Sequence, residues 1–169
     1  MVCLILIVLH FLYQLKYTSM SVISSSVLIN ASAERVFKVI TNPKEVVTFI
    51  PGAMRVTNVP QLPIKRGDVV SWEFLLLGLP LKGKWVVDEV TSPNVYIAQM
   101  KGSVEGQLTY SILPKGKFSK LTIDFDYKLP DALIKRYTLR LIEPHAQGII
   151  NNYLSSLKTY LELPLKTVR

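Results

Sequence analysis

The sequence predicts an α+β domain: a curved, seven-stranded antiparallel sheet wrapped around one long carboxy-terminal helix. Three observations predict it. Between Asp131 and Leu163, apolar residues recur at helical spacing as a one-sided stripe: Leu133, Ile134, Tyr137, Leu141, Ile149, Ile150, Tyr153, Leu154, Leu157, Tyr160 and Leu161. Almost everything from Val69 to Lys128 alternates apolar and polar residues with period two, interrupted by short turns. Both elements carry an apolar face that needs covering, and laying the helix across the sheet covers both.

Composition sets the outer limits. The 169 residues suit one domain with a real core, and 49% hydrophobic content excludes intrinsic disorder. The net charge of +8 is spread over single lysines and arginines, with Lys65-Arg66 and Lys135-Arg136 the only adjacent pairs. That is a solvated basic surface rather than the concentrated patch of a nucleic-acid binder, so no nucleic-acid partner is expected. One cysteine, Cys3, rules out an internal disulfide and a cysteine-built zinc site, and fits a reducing, cytoplasmic setting.

Taken in order, the chain begins with an apolar run, Met1 to Leu15, too short to span a bilayer and without a signal-peptide cleavage site. Residues 1–20 are therefore read as an extension, with three readings open: an accessory helix, a stretch upstream of a start at Met20, or a membrane-surface anchor giving peripheral membrane contact. Residues 21–163 form the domain and 164–169 a tail. Ser21 to Ile29 is the first strand. Ser32 caps a helix carrying Val36, Phe37, Val39 and Ile40, with Glu34 at the positive end of its dipole. Asn42-Pro43 opens a second short helix carrying Val46, Val47, Phe49 and Ile50, closed by Pro51-Gly52.

From Ala53 the period changes to two. Ala53 to Val59 is a strand, and Pro60 to Asp68 a loop. Val70, Trp72, Phe74 and Leu76 form the dry side of the next strand, and Gly78-Leu79-Pro80 breaks the run. Leu81, Trp85 and Val87 then oppose Lys82, Lys84 and Asp88. Tyr96, Ala98 and Met100, then Leu108, Tyr110 and Ile112, and finally Leu121, Ile123, Phe125 and Tyr127 repeat the pattern. Such a meander has one wet and one dry face. The final helix is capped by Asp131, and Pro144 is expected to kink or briefly break it after Glu143.

Strand, two short helices, six strands and a long helix is the order of the helix-grip fold (β-α-α-β6-α), and here the chain resembles the START-like superfamily, which includes the birch-pollen allergen family and polyketide cyclases. The residues carrying the resemblance are Val27 to Gly52, VLINASAERVFKVITNPKEVVTFIPG, and Asn151 to Glu162, NNYLSSLKTYLE. Within the superfamily the chain is most similar to the carbon monoxide dehydrogenase G-subunit family, through Phe49-Ile50-Pro51-Gly52 and Leu81-Lys82-Gly83-Lys84-Trp85. It departs from that family between Met100 and Thr109, where only Gly102 and Gly106 stand in a usually glycine-rich stretch.

The resemblance implies a cavity between sheet and helix, open near the short helices. The alternation assigns its lining to Trp72, Phe74, Trp85, Tyr96, Met100, Tyr110, Phe125 and Tyr127 from the sheet, Tyr137 and Leu141 from the helix, and Phe49 at the mouth. Leu108, Ile123 and Ile149 are expected to face it as well, with Phe37 beside Phe49 near the mouth. Aromatic walls suit an apolar small molecule such as a lipid, quinone or polyketide, with tyrosine hydroxyls to orient a polar group. The same resemblance implies a protein partner of the molybdenum hydroxylase type.

Catalytic equipment is sparse. His145 is the one histidine of the domain and stands beside the proline; Asp88, Asp124, Asp126, Glu73 and Glu105 fall on wet faces, so no carboxylates converge. No nucleophile, metal-binding, phosphate-loop or dinucleotide motif is present, and no cofactor is expected. A non-enzymatic binding or carrier protein is the leading reading, with a cyclase or dehydrase working in the same cavity as the alternative.

Overall fold

The computed structural model describes residues 21–52, 54–129 and 139–163, and its seven strands form one antiparallel sheet. Strands β1 (Ser21–Ile29), β2 (Met54–Thr57), β3 (Val69–Leu76), β4 (Leu79–Thr91), β5 (Val95–Gly102), β6 (Glu105–Lys115) and β7 (Phe118–Lys128) lie in the order β1-β7-β6-β5-β4-β3-β2. The meander from β2 to β7 runs edge to edge, and β1 closes onto β7, pairing Ser21 with Tyr127 and Ile29 with Ser119.

Two short helices connect β1 to β2. In α1 (Ala33–Ile40) the Ser32 side chain accepts the Arg35 amide, as a cap should, and Val36, Phe37, Val39 and Ile40 are buried. Asn42 caps α2 (Pro43–Phe49), accepting from the Lys44 amide while its side-chain nitrogen donates to Glu45 Oε1 at 2.8 Å. Ser119, fully buried in β7, donates to the Ala31 carbonyl at 2.8 Å and fastens the α1 entry to the sheet.

Helix α3 (Leu139–Glu162) runs on through Pro144, so of the kink or brief break expected there the break does not occur. Its far end is tied to the β1–α1 corner: Lys158 Nζ donates to the Leu28 carbonyl and to Glu162 Oε1, both at 2.6 Å, and Glu162 Oε1 accepts the Asn30 amide at 2.8 Å. Asp131, Leu133, Ile134 and Tyr137, like the run Met1 to Leu15, lie outside the described residues.

Three local details differ from expectation. Strand β2 stops at Thr57 rather than Val59, because Asn58 takes a left-handed conformation (φ 52°). The break at Gly78-Leu79-Pro80 is a two-residue hairpin at Leu77-Gly78, both with positive φ (50° and 77°), so Leu79 and Pro80 already pair with Leu76 and Leu75. A bulge between Val87 and Glu89 leaves Asp88 without a partner across β5 and shifts the alternation along the rest of β4.

Candidate functional site

A cavity of about 170 Å³ lies between the dry face of the sheet and the helices. Its floor follows the register. Trp85 pairs with Met100, Met100 with Gly106, and Gly106 with Tyr127, so one row of partners crosses β4 to β7. The next row, Val87, Ala98, Leu108 and Phe125, presents Ala98, Leu108 and Phe125 to the space. Tyr96 pairs with Tyr110 a further two residues along. Trp72 and Phe74 of β3, Leu76 and Leu81 at the β3–β4 hairpin and Ile23 of β1 also line the sheet side. The roof is Ala146, Ile149, Ile150 and Tyr153 of α3, and Ile40, Thr41, Pro43, Val46 and Ile50 close the side of the short helices.

Gly83 makes the Trp72 position possible. It faces Trp72 across β3–β4 and Gly102 across β4–β5. A Cβ on Gly83 would collide with the Trp72 ring and would sit 2.5 Å from the Lys101 carbonyl oxygen. The Lys82-Gly83-Lys84-Trp85 motif therefore has a packing role: the glycine leaves room for one indole and Trp85 supplies the other.

Among the described lining residues there is no Asp, Glu, His, Lys or Arg. The polar groups are the Thr41 hydroxyl, which donates to the Phe37 carbonyl at 2.7 Å, together with tyrosine hydroxyls and indole N–H groups. Tyr110 donates to the Tyr153 hydroxyl over 3.4 Å, and the Tyr96, Tyr110 and Tyr153 rings follow one another with centroids 6.0 and 6.4 Å apart. Burial raises all three hydroxyls, Tyr110 to about 12, so at neutral pH each is a neutral hydroxyl and none is a base. The Tyr127 hydroxyl, also raised by burial, lies near Ser21 without completing hydrogen-bond geometry, and the Ser21 hydroxyl donates to Glu143 Oε1 at 3.3 Å.

Of the residues assigned from sequence, Trp72, Phe74, Trp85, Tyr96, Met100, Tyr110, Phe125 and Tyr127 meet around the cavity, as do Leu108 and Ile149. Tyr137 lies outside the described residues. Leu141 does not belong: it is 62% exposed. At about 100° per residue it stands roughly 120° around the helix from Tyr153, whereas its neighbour Ile142 is within about 20°. Ile142 is accordingly fully buried. Phe49, at the last position of α2, packs its ring on Tyr160 with centroids 5.0 Å apart and leaves the lining to Val46 and Ile50. Phe37 and Ile123 are buried in the core beside the cavity. His145 is exposed. Sequence reasoning missed Tyr153 as a site residue, although a tyrosine in the middle of an aliphatic stripe, opposite strands that carry tyrosines, was the available signal.

An antiparallel sheet gripping a terminal helix around an apolar, hydroxyl-bearing cavity defines a helix-grip protein of the START-like class. The profile of the family described as polyketide cyclase/dehydrase and lipid transport matches residues 20–162, and the chain belongs to that family. Solved structures agree on the fold. A Thermus thermophilus protein is 15% identical, with TM-score 0.69 over 83% of this chain and 97% of that one. A START superfamily protein from Mycobacterium smegmatis is 16% identical, with TM-score 0.66 and coverage of 83% and 97%. A Chromobacterium violaceum protein is 17% identical, with TM-score 0.65 and coverage of 85% and 99%. No curated protein matches the chain.

Proposed function

We propose that this chain is a non-enzymatic carrier that holds an apolar small molecule between its sheet and α3. The observation that carries the reading is the cavity lining: aliphatic and aromatic throughout, with neutral hydroxyl and indole groups and no charged side chain among the described residues. General acid–base chemistry needs a group that titrates near the working pH, and the tyrosines here are pushed away from it. A cyclase or dehydrase, which the family description also names, would have to rely on orientation and on hydrogen bonds from neutral hydroxyls.

The size limits the guest. Ligand pockets commonly measure about 300–1,000 Å³. At about 170 Å³ this cavity accepts a single ring or short chain as it stands. Apolar voids of roughly 150 Å³ stay dry and take a benzene-sized molecule. Such a guest withdraws on the order of 200–250 Å² of apolar surface, or about 5–6 kcal/mol before ordering costs. Affinity from burial alone is then no tighter than about 0.04 mM. A quinone or lipid exceeds this volume and would have to reach beyond it or widen it.

An accessory role beside a molybdenum hydroxylase of the carbon monoxide dehydrogenase type is proposed on the motifs Phe49 to Gly52 and Leu81 to Trp85. Membrane contact through residues 1–15 is proposed on their apolar character. No helix among the described residues is long and apolar enough to cross a membrane. Native mass spectrometry of the purified chain, followed by organic extraction, tests the carrier. A reproducible apolar adduct is expected. A protein that carries none, and takes up none when offered, contradicts it.

A further inference from the structure

A two-residue hairpin with positive φ at both positions favours Asn followed by Gly, and polar turn residues keep such a tip in water. The β3–β4 turn obeys this at Gly78 and departs from it at Leu77, whose left-handed φ of 50° is one that residues with a Cβ avoid. The departure extends along the hairpin: Phe74 to Leu81, FLLLGLPL, carries no polar side chain. Leu76 and Leu81 line the cavity from within. On the outer face Leu75 is 47% exposed and its cross-strand partner Pro80 is exposed as well, while Leu77 and Leu79 are half-buried.

Behind this tip the outer face is basic. The row Arg55–Glu73–Lys82 crosses β2 to β4, and the row Ser71–Lys84–Lys101 crosses β3 to β5. Glu73, paired with Arg55 at 2.9 Å and Lys82 at 2.8 Å, is the one carboxylate in these rows against four exposed cations. The chain also enters the sheet at this end. Ser21 stands opposite Tyr127, in the row Tyr127–Gly106–Met100–Trp85, two residues along β4 from Gly83. The apolar run Met1 to Leu15 thus precedes a strand that starts at the hairpin's end of the sheet.

We propose that the β3–β4 hairpin is a docking wedge for an anionic lipid bilayer: its leucines enter the headgroup region while Arg55, Lys82, Lys84 and Lys101 meet the lipid phosphates. An apolar edge with cations just behind it matches the layering of such a membrane, and lysine stems are long enough to lie along the leucines with their charges at the phosphates. The net charge of +8 adds attraction from a distance. A protein partner would need a shaped surface of about 800 Å² per side, and a turn two strands wide is a wedge instead. The surface is separate from residues 1–15 and does not depend on whether the cavity holds a guest.

The test uses the full chain and vesicles of phosphatidylcholine with and without phosphatidylglycerol. Binding is expected to be stronger with phosphatidylglycerol and to weaken with salt. Leu75→Ser combined with Leu77→Asn, which suits the left-handed turn, is expected to lower it about tenfold with the thermal transition kept. Leu75→Ser alone, at an exposed position, lowers it less. Lys84→Gln with Lys101→Gln reduces the preference for phosphatidylglycerol. In nanodiscs holding spin-labelled lipid, the methyl signals of Leu75, Leu77 and Leu79 broaden, while exposed Leu28 and Leu113, near the opposite end of the sheet, stay sharp. Binding that the hairpin variants leave unchanged, as anchoring by residues 1–15 alone would give, overturns the wedge. So does broadening at Leu28 or Leu113 instead, absence of vesicle binding, or self-association that the variants abolish without any lipid contact.

Discussion

Ala98 offers a sign test of whether the space between sheet and helix is truly empty. It is 1% exposed, lies mid-sheet between Val87 and Leu108, and lines the cavity. Ala98→Leu adds three carbons in the direction of the void. At about 0.8 kcal/mol per buried carbon the gain is about 2.4 kcal/mol, and ordering the leucine takes back about 0.5–1 kcal/mol. The net expectation is stabilisation of about 1.5 kcal/mol, or a rise in Tm of about 3–6 °C. The cavity itself gives the same scale: at ~24 cal/mol per Å³, about 170 Å³ costs ~4 kcal/mol, and the leucine refills less than half of it. Urea denaturation at neutral pH, with protein stripped of co-purifying organics, measures the change. In a packed core the same substitution forces rotamers and backbone apart and destabilises by about 1–3 kcal/mol. A loss of that size refutes the void.

Other consequences follow from single contacts. Gly83→Ala drives a methyl group into the Trp72 ring and the Lys101 carbonyl, so a loss of about 1–3 kcal/mol or more is expected in the same denaturation assay, with Trp72 fluorescence altered in the folded state. Ser119→Ala strands the buried Ala31 carbonyl and is expected to cost about 1–3 kcal/mol, while Ser119→Thr, if its methyl group is accommodated, recovers part of it. Burial holds Tyr110 at about 12 and raises Tyr96 and Tyr153, whereas unfolded tyrosine titrates near 10. The unfolded chain therefore loses these protons first: stability is intact below about pH 10 and falls as pH rises, with about 2–3 kcal/mol lost through Tyr110 alone by about pH 12. Near-ultraviolet titration checks this, because these tyrosines should ionise only as the fold opens.

The sheet was legible because its dry face repeats with period two, and eight of its aromatic and methionine positions converge as the alternation required. The Asp88 bulge was not: the adjacent polar pair Asp88-Glu89 sets Val87 and Val90 three apart instead of two, but close to the Thr91 to Asn94 turn the same spacing also fits the end of a strand. On α3 the apolar stripe was visible but its phase was blurred where Leu141 and Ile142 stand side by side; tertiary packing chose Ile142. Phe49 shows the same ambiguity at a helix end, where an aromatic ring has a choice of neighbours and took Tyr160. The α1–α2 side of the cavity, with Thr41, Pro43 and Ile50, could not be read from periodicity, because capping residues and short helices carry little of it.

The most direct measurement is methyl NMR of isoleucine- and leucine-labelled protein titrated with toluene. Saturable shifts are expected at Ile23, Leu108, Ile149 and Ile150, which line the cavity, while exposed Leu75 and Leu113 stay still. No saturable shifts, or shifts confined to exposed leucines, would contradict an open apolar chamber between sheet and helix.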